Sequence, residues 1–244
     1  MLAIIGGSGL TQLANLNITH REIVRTPYGE PSGPLSFGRI HATPLMFVAR
    51  HGHGHTIAPH EVNYRANVWA LREKSATEIL SIASVGGIRP EFGPGQIVIP
   101  DQVIDYTWGR KSTFFESGEP PRHVDFTEPY TPALRLRLLA AARTCGQSVH
   151  DFGVYAVTQG PRLESAAEIN RLERDGADLV GMTGMPEAAL ARELDMQYAL
   201  IAVVVNHAAG RGDSRRDVRL AETGETLGPM IERVHRIIEA LVSP

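Results

Sequence analysis

The feature that most constrains the fold is a series of short apolar, β-branched runs that recurs along the whole chain. Each run is bounded by Gly, Pro or Asn, as buried strands are, and segments with helical periodicity lie between several of them. This alternation predicts an α/β fold: a single domain spanning residues 1–244, with a central mixed β-sheet flanked by helices. The predicted strands are residues 2–5, 45–49, 79–83, 96–99, 154–158, 179–182 and 200–205.

The predicted helices fill several of the gaps between these strands. Residues 61–74 place apolar side chains on one face, as an amphipathic helix does. Thr131 and Pro132 are predicted to begin a second helix, with the threonine as N-cap and the proline in the first turn. Further helices are predicted at 165–174, 187–194 and 230–242.

Composition excludes several classes of protein. Of the 244 residues 43% are hydrophobic, which is enough for a sizeable core and excludes disorder as the main state. The net charge of -3 excludes a broad basic surface for nucleic acid. The apolar runs fall short of the roughly 20 residues that a bilayer span needs, and no basic stretch precedes the first of them. One cysteine, Cys145, excludes an internal disulfide. We therefore expect a cytoplasmic protein that binds neither nucleic acid nor a membrane.

Polar or glycine-rich turns follow most of the predicted strands. In open α/β sheets ligands bind at the carboxyl ends of the strands, so these turns mark the expected site. Ser8 lies in a glycine-rich turn whose backbone N–H groups can face an anion, and Arg50 offers a permanent positive charge. Together with the hydroxyl of Thr183 they suggest an oxyanion site. The turns are residues 6–9, 50–53, 84–87, 159–164, 183–184 and 206–208.

A dinucleotide-binding fingerprint is a competing interpretation of the first turn. That fingerprint requires a small residue at the position of Gln12, so the match fails. A nicotinamide-linked oxidoreductase stays open as an alternative function, and a non-catalytic ligand-binding module as another.

Three histidines, His51, His53 and His55, alternate along the chain after Arg50. In an extended segment they would share a face and could bind a metal ion. The positive charge of Arg50 disfavours a cation there, so we expect no metal site. His51 is expected to be functional, and the other two to belong to the loop.

Long motifs in a fixed order identify a resemblance that covers nearly the whole chain. The chain resembles the methylthioadenosine/purine nucleoside phosphorylase family, and within it the bacterial branch that acts on S-methyl-5'-thioinosine. The resemblance implies a nucleoside phosphorylase-like fold and activity, with inorganic phosphate as co-substrate and no metal or organic cofactor. The motifs are IIGGSGL at residues 4–10, TPYG at 26–29, ARHG at 49–52, VNYRAN at 62–67, QGPR at 159–162 and GMTGMPE at 181–187.

The resemblance also implies roles for individual residues. Met182 is expected under the ribose, and Leu163 against the purine, where relatives commonly have phenylalanine. A long irregular insertion, residues 109–132, is expected to carry His123 into the site of a neighbouring subunit of a homotrimer. Ala83 stands where many relatives have a threonine, so one hydroxyl contact to phosphate is missing. The residues expected to bind phosphate are Ser8, Arg50, His51, Ser84 (through its backbone) and Thr183.

Two positions predict which purine is bound. Relatives that act on adenosine carry aspartates at the positions of Asn206 and Ala208. An asparagine amide can both donate to O6 and accept from a protonated N7, whereas an aspartate only accepts. Glu164 can accept the N1–H of a 6-oxopurine but would repel the N1 lone pair of adenine. The alternative interpretation of Glu164 is an acid favoured by a helix N-terminus. We expect Asn206, Glu164 and His51 to be catalytic.

The group at the 5' carbon is less constrained. Residues 217–222 contain no histidine that could bind a 5'-hydroxyl, whereas Val218 or Leu220 could pack an apolar methylthio group. His207 is the alternative ligand, for a 5'-hydroxyl. The expected reaction is phosphorolysis of S-methyl-5'-thioinosine, with inosine or guanosine, and then methylthioadenosine, as the alternative substrates.

Overall fold

The computed structural model describes residues 1–116, 118, 120, 122–218 and 227–243, and its described strands form one sheet. The strand order is β2-β3-β4-β1-β5-β9-β8-β7, and β10 pairs with both β5 and β6 off this path. The strands are β1 (Leu2–Gly6), β2 (Asn17–Glu22), β3 (Leu35–Ile40), β4 (Thr43–Ala49), β5 (Glu78–Gly87), β6 (Ile97–Val98), β7 (Gln102–Asp105), β8 (Val154–Val157), β9 (Leu179–Gly181) and β10 (Gln197–His207).

The pairing of these strands is mixed, and β5 is its centre. β5 runs parallel to β1 over Glu78–Ser81, parallel to β10 along its length, and antiparallel to β9 at Gly86 and Gly87. The pairs β1–β4, β7–β8 and β8–β9 are also parallel. Because so many parallel strands end at one edge, the turns that follow them meet there.

The helices cover both faces of this sheet. They are α1 (Tyr64–Glu73), α2 (Pro132–Thr144), α3 (Ala166–Arg174), α4 (Glu187–Glu193) and α5 (Leu227–Val242). A short 3₁₀ helix, Gly212–Ser214, follows β10. None of the helices in the described residues is long and apolar enough to cross a membrane.

Strand β1 shows why the predicted strands are continuously apolar. Leu2 and Ile4 pack with apolar residues of α2 and α5, whereas Ala3 and Ile5 pack with those of α1 and α4. Alternate side chains thus enter two different hydrophobic clusters, and both faces of the strand are buried. A period-2 pattern is absent because neither face meets water.

The prediction of a mixed sheet flanked by helices is confirmed, and each predicted strand has a counterpart. The strands β2, β3 and β7 were not predicted. β2 and β7 are the two ends of the strand order, and β2 is largely exposed, so these edge strands carry polar residues. The predicted start of α2 is confirmed, with Thr131 as N-cap and Pro132 in the first turn, but the Thr131 hydroxyl accepts from the backbone N–H of Tyr198 and makes no capping bond.

Candidate active site

The turns after β1, β4, β8 and β9 and the C-terminal parts of β5 and β10 line one cavity of about 550 Å³. The turn predicted at residues 84–87 is wrong, because these residues belong to β5. This volume lies within the range of small-molecule sites. Leu220 lies outside the described residues, and His123 is exposed and does not line this cavity. The predicted site residues that do line it are Ser8, Arg50, His51, Ser84, Leu163, Glu164, Met182, Thr183, Asn206, Ala208 and Val218.

Arg50 sits at the inner wall of the cavity, and its side chain is 0% exposed. Its Nε and Nη2 donate to the carboxylate of Glu187, Nη2 also donates to Ser81 Oγ, and Nη1 donates to the Ile82 carbonyl oxygen. The planar fork therefore faces Glu187 rather than the cavity. Two bonds to Glu187, one to Ser81 and one to Ile82 leave one of the five guanidinium N–H groups, on Nη1, for a ligand.

The buried pair of Arg50 and Glu187 stays ionised. Burial acts to lower the pKa of Arg50, but the Glu187 carboxylate raises this pKa by more. Burial likewise acts to raise the pKa of Glu187, and the Arg50 guanidinium holds this pKa below its usual value. The Glu187 carboxylate also accepts from Ser81 and from the Tyr198 hydroxyl. These hydrogen bonds compensate for the lost hydration of two charges in the core.

The glycine-rich turn after β1 approaches Arg50 closely. A Cβ atom on Gly7 would lie 2.5 Å from the Ile82 carbonyl oxygen and 3.0 Å from Arg50 Nη1, so no larger side chain fits. Ser8 follows, and its carbonyl oxygen accepts from the Ser84 hydroxyl at 3.3 Å. The turn after β1 and strand β5 are thus joined beside the guanidinium, and this part of the cavity, called the anion end below, is suited to an anion.

His51 is a neutral imidazole at neutral pH. Its Nδ1 lies 2.9 Å from the Ile57 carbonyl oxygen, which can only accept, so Nδ1 carries the proton. Burial and the positive charge of Arg50 lower the pKa of His51 to about 4. Nε2 is therefore an acceptor and is the nitrogen left for a ligand.

Thr183 is held from behind by a tyrosine. Its backbone N–H donates to the hydroxyl of the buried Tyr155 at 3.2 Å. The next residue, Gly184, has a φ of +96°, a conformation that favours glycine, and it lies against the same ring. The tyrosine fixes the turn that presents the Thr183 hydroxyl to the anion end.

A second group of lining residues, Leu163, Glu164 and Asn206, lies in the loop after β8 and in β10. Val204 pairs with Val85 and Asn206 with Gly86, so Val205 is an extra residue, and this β-bulge changes the direction of the strand before Asn206. Asn206 Nδ2 donates to the His207 carbonyl oxygen at 2.7 Å, which leaves its second N–H and its Oδ1 for a ligand.

His207 does not belong to this group of lining residues. Its ring packs against Gly93 and Gly212, with Nδ1 3.9 Å from an Asp213 carboxylate oxygen, and it is not among the described residues that line the cavity. The C-terminal part of the chain contributes two apolar side chains to the cavity lining instead, those of Val218 and Leu227.

Comparison with known proteins fits this geometry. The family model described as the phosphorylase superfamily matches residues 1–243. The chain belongs to this superfamily. The resemblance found in its motifs is thereby confirmed.

Among relatives in this superfamily, a protein of Pseudomonas syringae pv. tomato is 52% identical over 99% of this chain and 98% of its own length. It is named probable S-methyl-5'-thioinosine phosphorylase. The 6-oxopurine nucleoside phosphorylase of Pyrococcus furiosus is 44% identical over 99% of this chain and 91% of its own. The fold is similar to methylthioadenosine phosphorylase from Schistosoma mansoni in complex with adenine, with a TM-score of 0.94, 32% identity, and coverage of 99% and 90% of the two chains.

Arg110 supports the site without lining the cavity, and its role was not predicted from the sequence. Its guanidinium donates to the carbonyl oxygens of Thr158, Gln159, Met182 and Met185, at 3.2, 2.9, 2.9 and 2.6 Å. It thus joins the first part of the insertion to the loops that carry Glu164 and Thr183. An arginine in an irregular segment has no periodicity or motif that would reveal this role.

The three alternating histidines do not form an extended face. They lie in a turn, where Gly52 and His55 have positive φ values, and the rings of His51 and His55 pack 4.8 Å apart. The third, His53, is exposed and lines a different cavity, beside Phe47.

Proposed function

We propose that this protein uses inorganic phosphate to cleave the N-glycosidic bond of a 6-oxopurine nucleoside. The preferred substrate is S-methyl-5'-thioinosine, and the products are hypoxanthine and 5-methylthioribose 1-phosphate. The observation that carries the proposal is that one cavity is lined both by Arg50 and by Glu164 and Asn206. The names of the Pseudomonas and Pyrococcus relatives support the same chemistry.

Phosphate binds at the anion end. Arg50 supplies a permanent charge and its remaining Nη1 N–H, and the turn at Ser8 supplies backbone N–H groups and a hydroxyl. The neutral His51 accepts a hydrogen bond from a P–OH group through Nε2, because its Nδ1–H donates to the Ile57 carbonyl oxygen. The Ser84 backbone and the Thr183 hydroxyl complete this end.

The purine binds at the other end. Glu164 accepts the N1–H of hypoxanthine, whereas the N1 lone pair of adenine would face a carboxylate that cannot donate. Asn206 donates its second N–H to O6 and accepts from a protonated N7 through Oδ1. Leu163 packs against the base, and Met182 lies under the ribose between the two ends.

Cleavage follows from this placement. A phosphate oxygen bonds to C1' while the C1'–N9 bond breaks, and the electron pair of that bond goes to the purine. A proton taken up at N7 neutralises the leaving base, and Asn206 and Glu164 stabilise it through their hydrogen bonds. Most of the acceleration comes from positioning and from fixed charges and dipoles, with phosphate as the co-substrate and no cofactor needed.

The 5' group is proposed to be methylthio. The apolar side chains of Val218 and Leu227 line the cavity, and Ala208 adds another apolar surface. The ring of His207 packs against Gly212 instead of lining the cavity, which disfavours a 5'-hydroxyl bound by this histidine.

The cellular location and the oligomeric state of the protein are also proposals. We propose a cytoplasmic homotrimer, in which the exposed His123 of one subunit completes the site of its neighbour. Light scattering tests this assembly, and a fully active monomer would contradict it.

A phosphate-dependent assay with methylthioinosine, inosine, guanosine and methylthioadenosine tests the function. We expect the highest kcat/KM with methylthioinosine and no base release without phosphate. A preference for inosine or guanosine would contradict the 5' assignment alone, and a preference for methylthioadenosine would contradict the roles of Glu164 and Asn206. Binding of hypoxanthine without cleavage of any nucleoside would instead indicate a binding module.

A further inference from the structure

The carboxylate of Glu164 is held by the side chain of Thr158, which does not line the main cavity. Thr158 directly follows β8, and its Oγ1 donates to Glu164 Oε1 at 2.6 Å. The Gly181 carbonyl oxygen lies 3.2 Å from the same hydroxyl and accepts from the Thr158 backbone N–H at 2.8 Å. The backbone and the hydroxyl of Thr158 are therefore both fixed on the sheet, and the carboxylate is attached to them.

The hydroxyl has one proton, and the carboxylate is the stronger acceptor. A donor bonded to an ionised acceptor makes a shorter bond than one bonded to a neutral carbonyl, and the two distances here follow that order. Glu164 Oε1 thus accepts one hydrogen bond, and Oε2, which accepts none from the described residues, is the more available oxygen for the N1–H of a base. A carboxylate with one anchored oxygen loses less freedom when it binds than an unanchored one.

The position of Thr158 separates its role from that of Glu164. Glu164 lines both the main cavity and a neighbouring one of about 260 Å³, whereas Thr158 lines only the neighbouring one. Its hydroxyl therefore acts on the carboxylate from behind and does not reach a base in the main cavity.

We propose that Thr158 is a positioning residue that orients Glu164 and thereby sets the preference for 6-oxopurines over 6-aminopurines. This inference rests on the proposed function, because it requires Glu164 to bind N1–H. The bond between Glu164 and N1–H exists in the bound substrate as well as during cleavage, so loss of the anchor weakens binding more than it slows turnover.

The test compares Thr158→Val, which keeps the shape and removes the hydroxyl, with Thr158→Ser, which keeps the hydroxyl. We expect Thr158→Val to raise the KM for methylthioinosine and the Kd for hypoxanthine about tenfold, while kcat changes by less than about twofold. The kcat/KM for methylthioadenosine should not fall. The preference for methylthioinosine over methylthioadenosine should therefore decrease together with the affinity for hypoxanthine. Thr158→Ser, which keeps the hydroxyl, should retain most of the affinity for hypoxanthine and most of the preference for methylthioinosine.

Two controls separate orientation from a general effect on the fold. Thr43→Val removes another part-buried hydroxyl, which donates to the Val242 carbonyl oxygen at 2.8 Å, and it should leave both affinities unchanged. In a Glu164→Gln background, Thr158→Val should change the Kd for hypoxanthine by less than about twofold, because the two residues act as one unit.

The outcomes distinguish this inference from the proposed function. A wild-type protein that prefers methylthioadenosine would overturn the proposed function and the inference with it. A wild-type protein that prefers methylthioinosine, with a Thr158→Val variant that binds hypoxanthine as tightly as the wild type, would overturn the inference alone. An equal loss of activity on both nucleosides would also overturn it, because such a loss reports damage to the fold.

Discussion

The two ends of the cavity are built in different ways. The anion end depends on ionised groups inside the core, since Arg50 and Glu187 are both 0% exposed. The base end, the part of the cavity that is proposed to bind the purine, depends on partly exposed groups: Glu164 lies in a loop and Asn206 at the end of β10, and each is fixed by a hydrogen bond to a neighbouring group. Phosphate is common to every phosphorolysis, whereas the base differs between relatives. Under the proposed function, the charge that binds the common substrate is thus held by ion pairing in the core, and the groups that select the base are held by single hydrogen bonds nearer the surface.

The largest expected effect tests whether the anion end is inseparable from the core. Glu187→Gln leaves the buried Arg50 without its counter-ion, and breaking such a pair costs about 3–5 kcal/mol. We expect this loss in the free energy of unfolding, measured by denaturant titration at pH 7 and fixed protein concentration. Glu232→Gln, on the exposed side of α5, is the matched control. A loss no larger than that of the control would remove the distinction between the two ends.

The second prediction concerns the base end, where a change should affect rate and leave stability nearly intact. Asn206→Ala removes the amide that is proposed to stabilise the leaving purine, and we expect kcat to fall about 10²-fold. Asn17→Ala, on the exposed edge strand β2, controls for the same truncation elsewhere. Normal turnover in Asn206→Ala would exclude this amide from catalysis. A large loss of stability would show that the base end, too, is coupled to the core.

The third prediction uses pH to test the neutral His51 of the anion end. Its pKa is about 4 in the folded protein and near 6.5 when unfolded, so the unfolded chain binds more protons between these values. The contribution of His51 to stability is therefore complete above pH 6.5 and is lost as the pH falls toward 4. From pH 7.5 to 5 the wild type should lose about 2 kcal/mol through this group.

The measurement is the free energy of unfolding of wild type and His51→Gln at both pH values. The variant should lack this part of the acid sensitivity, and His53→Gln shows how much of the change any histidine replacement in this turn produces. Equal acid sensitivity in wild type and His51→Gln would contradict a buried, neutral His51.

The same contrast explains what the sequence could predict. Arg50, Ser8 and Thr183 follow apolar runs directly, so finding the strands was enough to place them at one edge of the sheet. The strands β2 and β7 escaped prediction because edge strands meet water and need no apolar pattern. Glu187 appeared in a motif, yet nothing in the motif indicated that it would take the fork of Arg50. That pairing depends on how α4 packs against β5 and β10.

At the base end, the sequence predicted the residues that are expected to contact the purine, but it did not predict the residues that support them. Asn206 and Glu164 differ in type from the residues of adenosine-specific relatives, which made them visible. Thr158 looked like the last residue of a strand, and Arg110 like a charged residue in a loop. Their roles depend on carbonyl and carboxylate oxygens brought close by tertiary packing, which local sequence does not specify.

The smallest expected effect concerns Arg110, which joins four carbonyl oxygens behind the base end. Arg110→Met should lower kcat/KM about tenfold for every nucleoside cleaved, because the loops that carry Met182 and Glu164 lose their shared donor. Arg110→Lys should not restore it, since an ammonium lacks the planar fork. Steady-state kinetics with methylthioinosine and inosine measures both variants.

The matched control for this last change is Arg135→Met, because Arg135 also donates to several carbonyl oxygens, those of Ile99, Pro100 and Asp151, which do not line the cavity. Both variants should lose stability, but only Arg110→Met should lose activity beyond what its stability explains. Equal kcat/KM in the two variants would mean that Arg110 supports the fold alone. A loss confined to one nucleoside would instead place Arg110 with Glu164 among the residues that select the substrate.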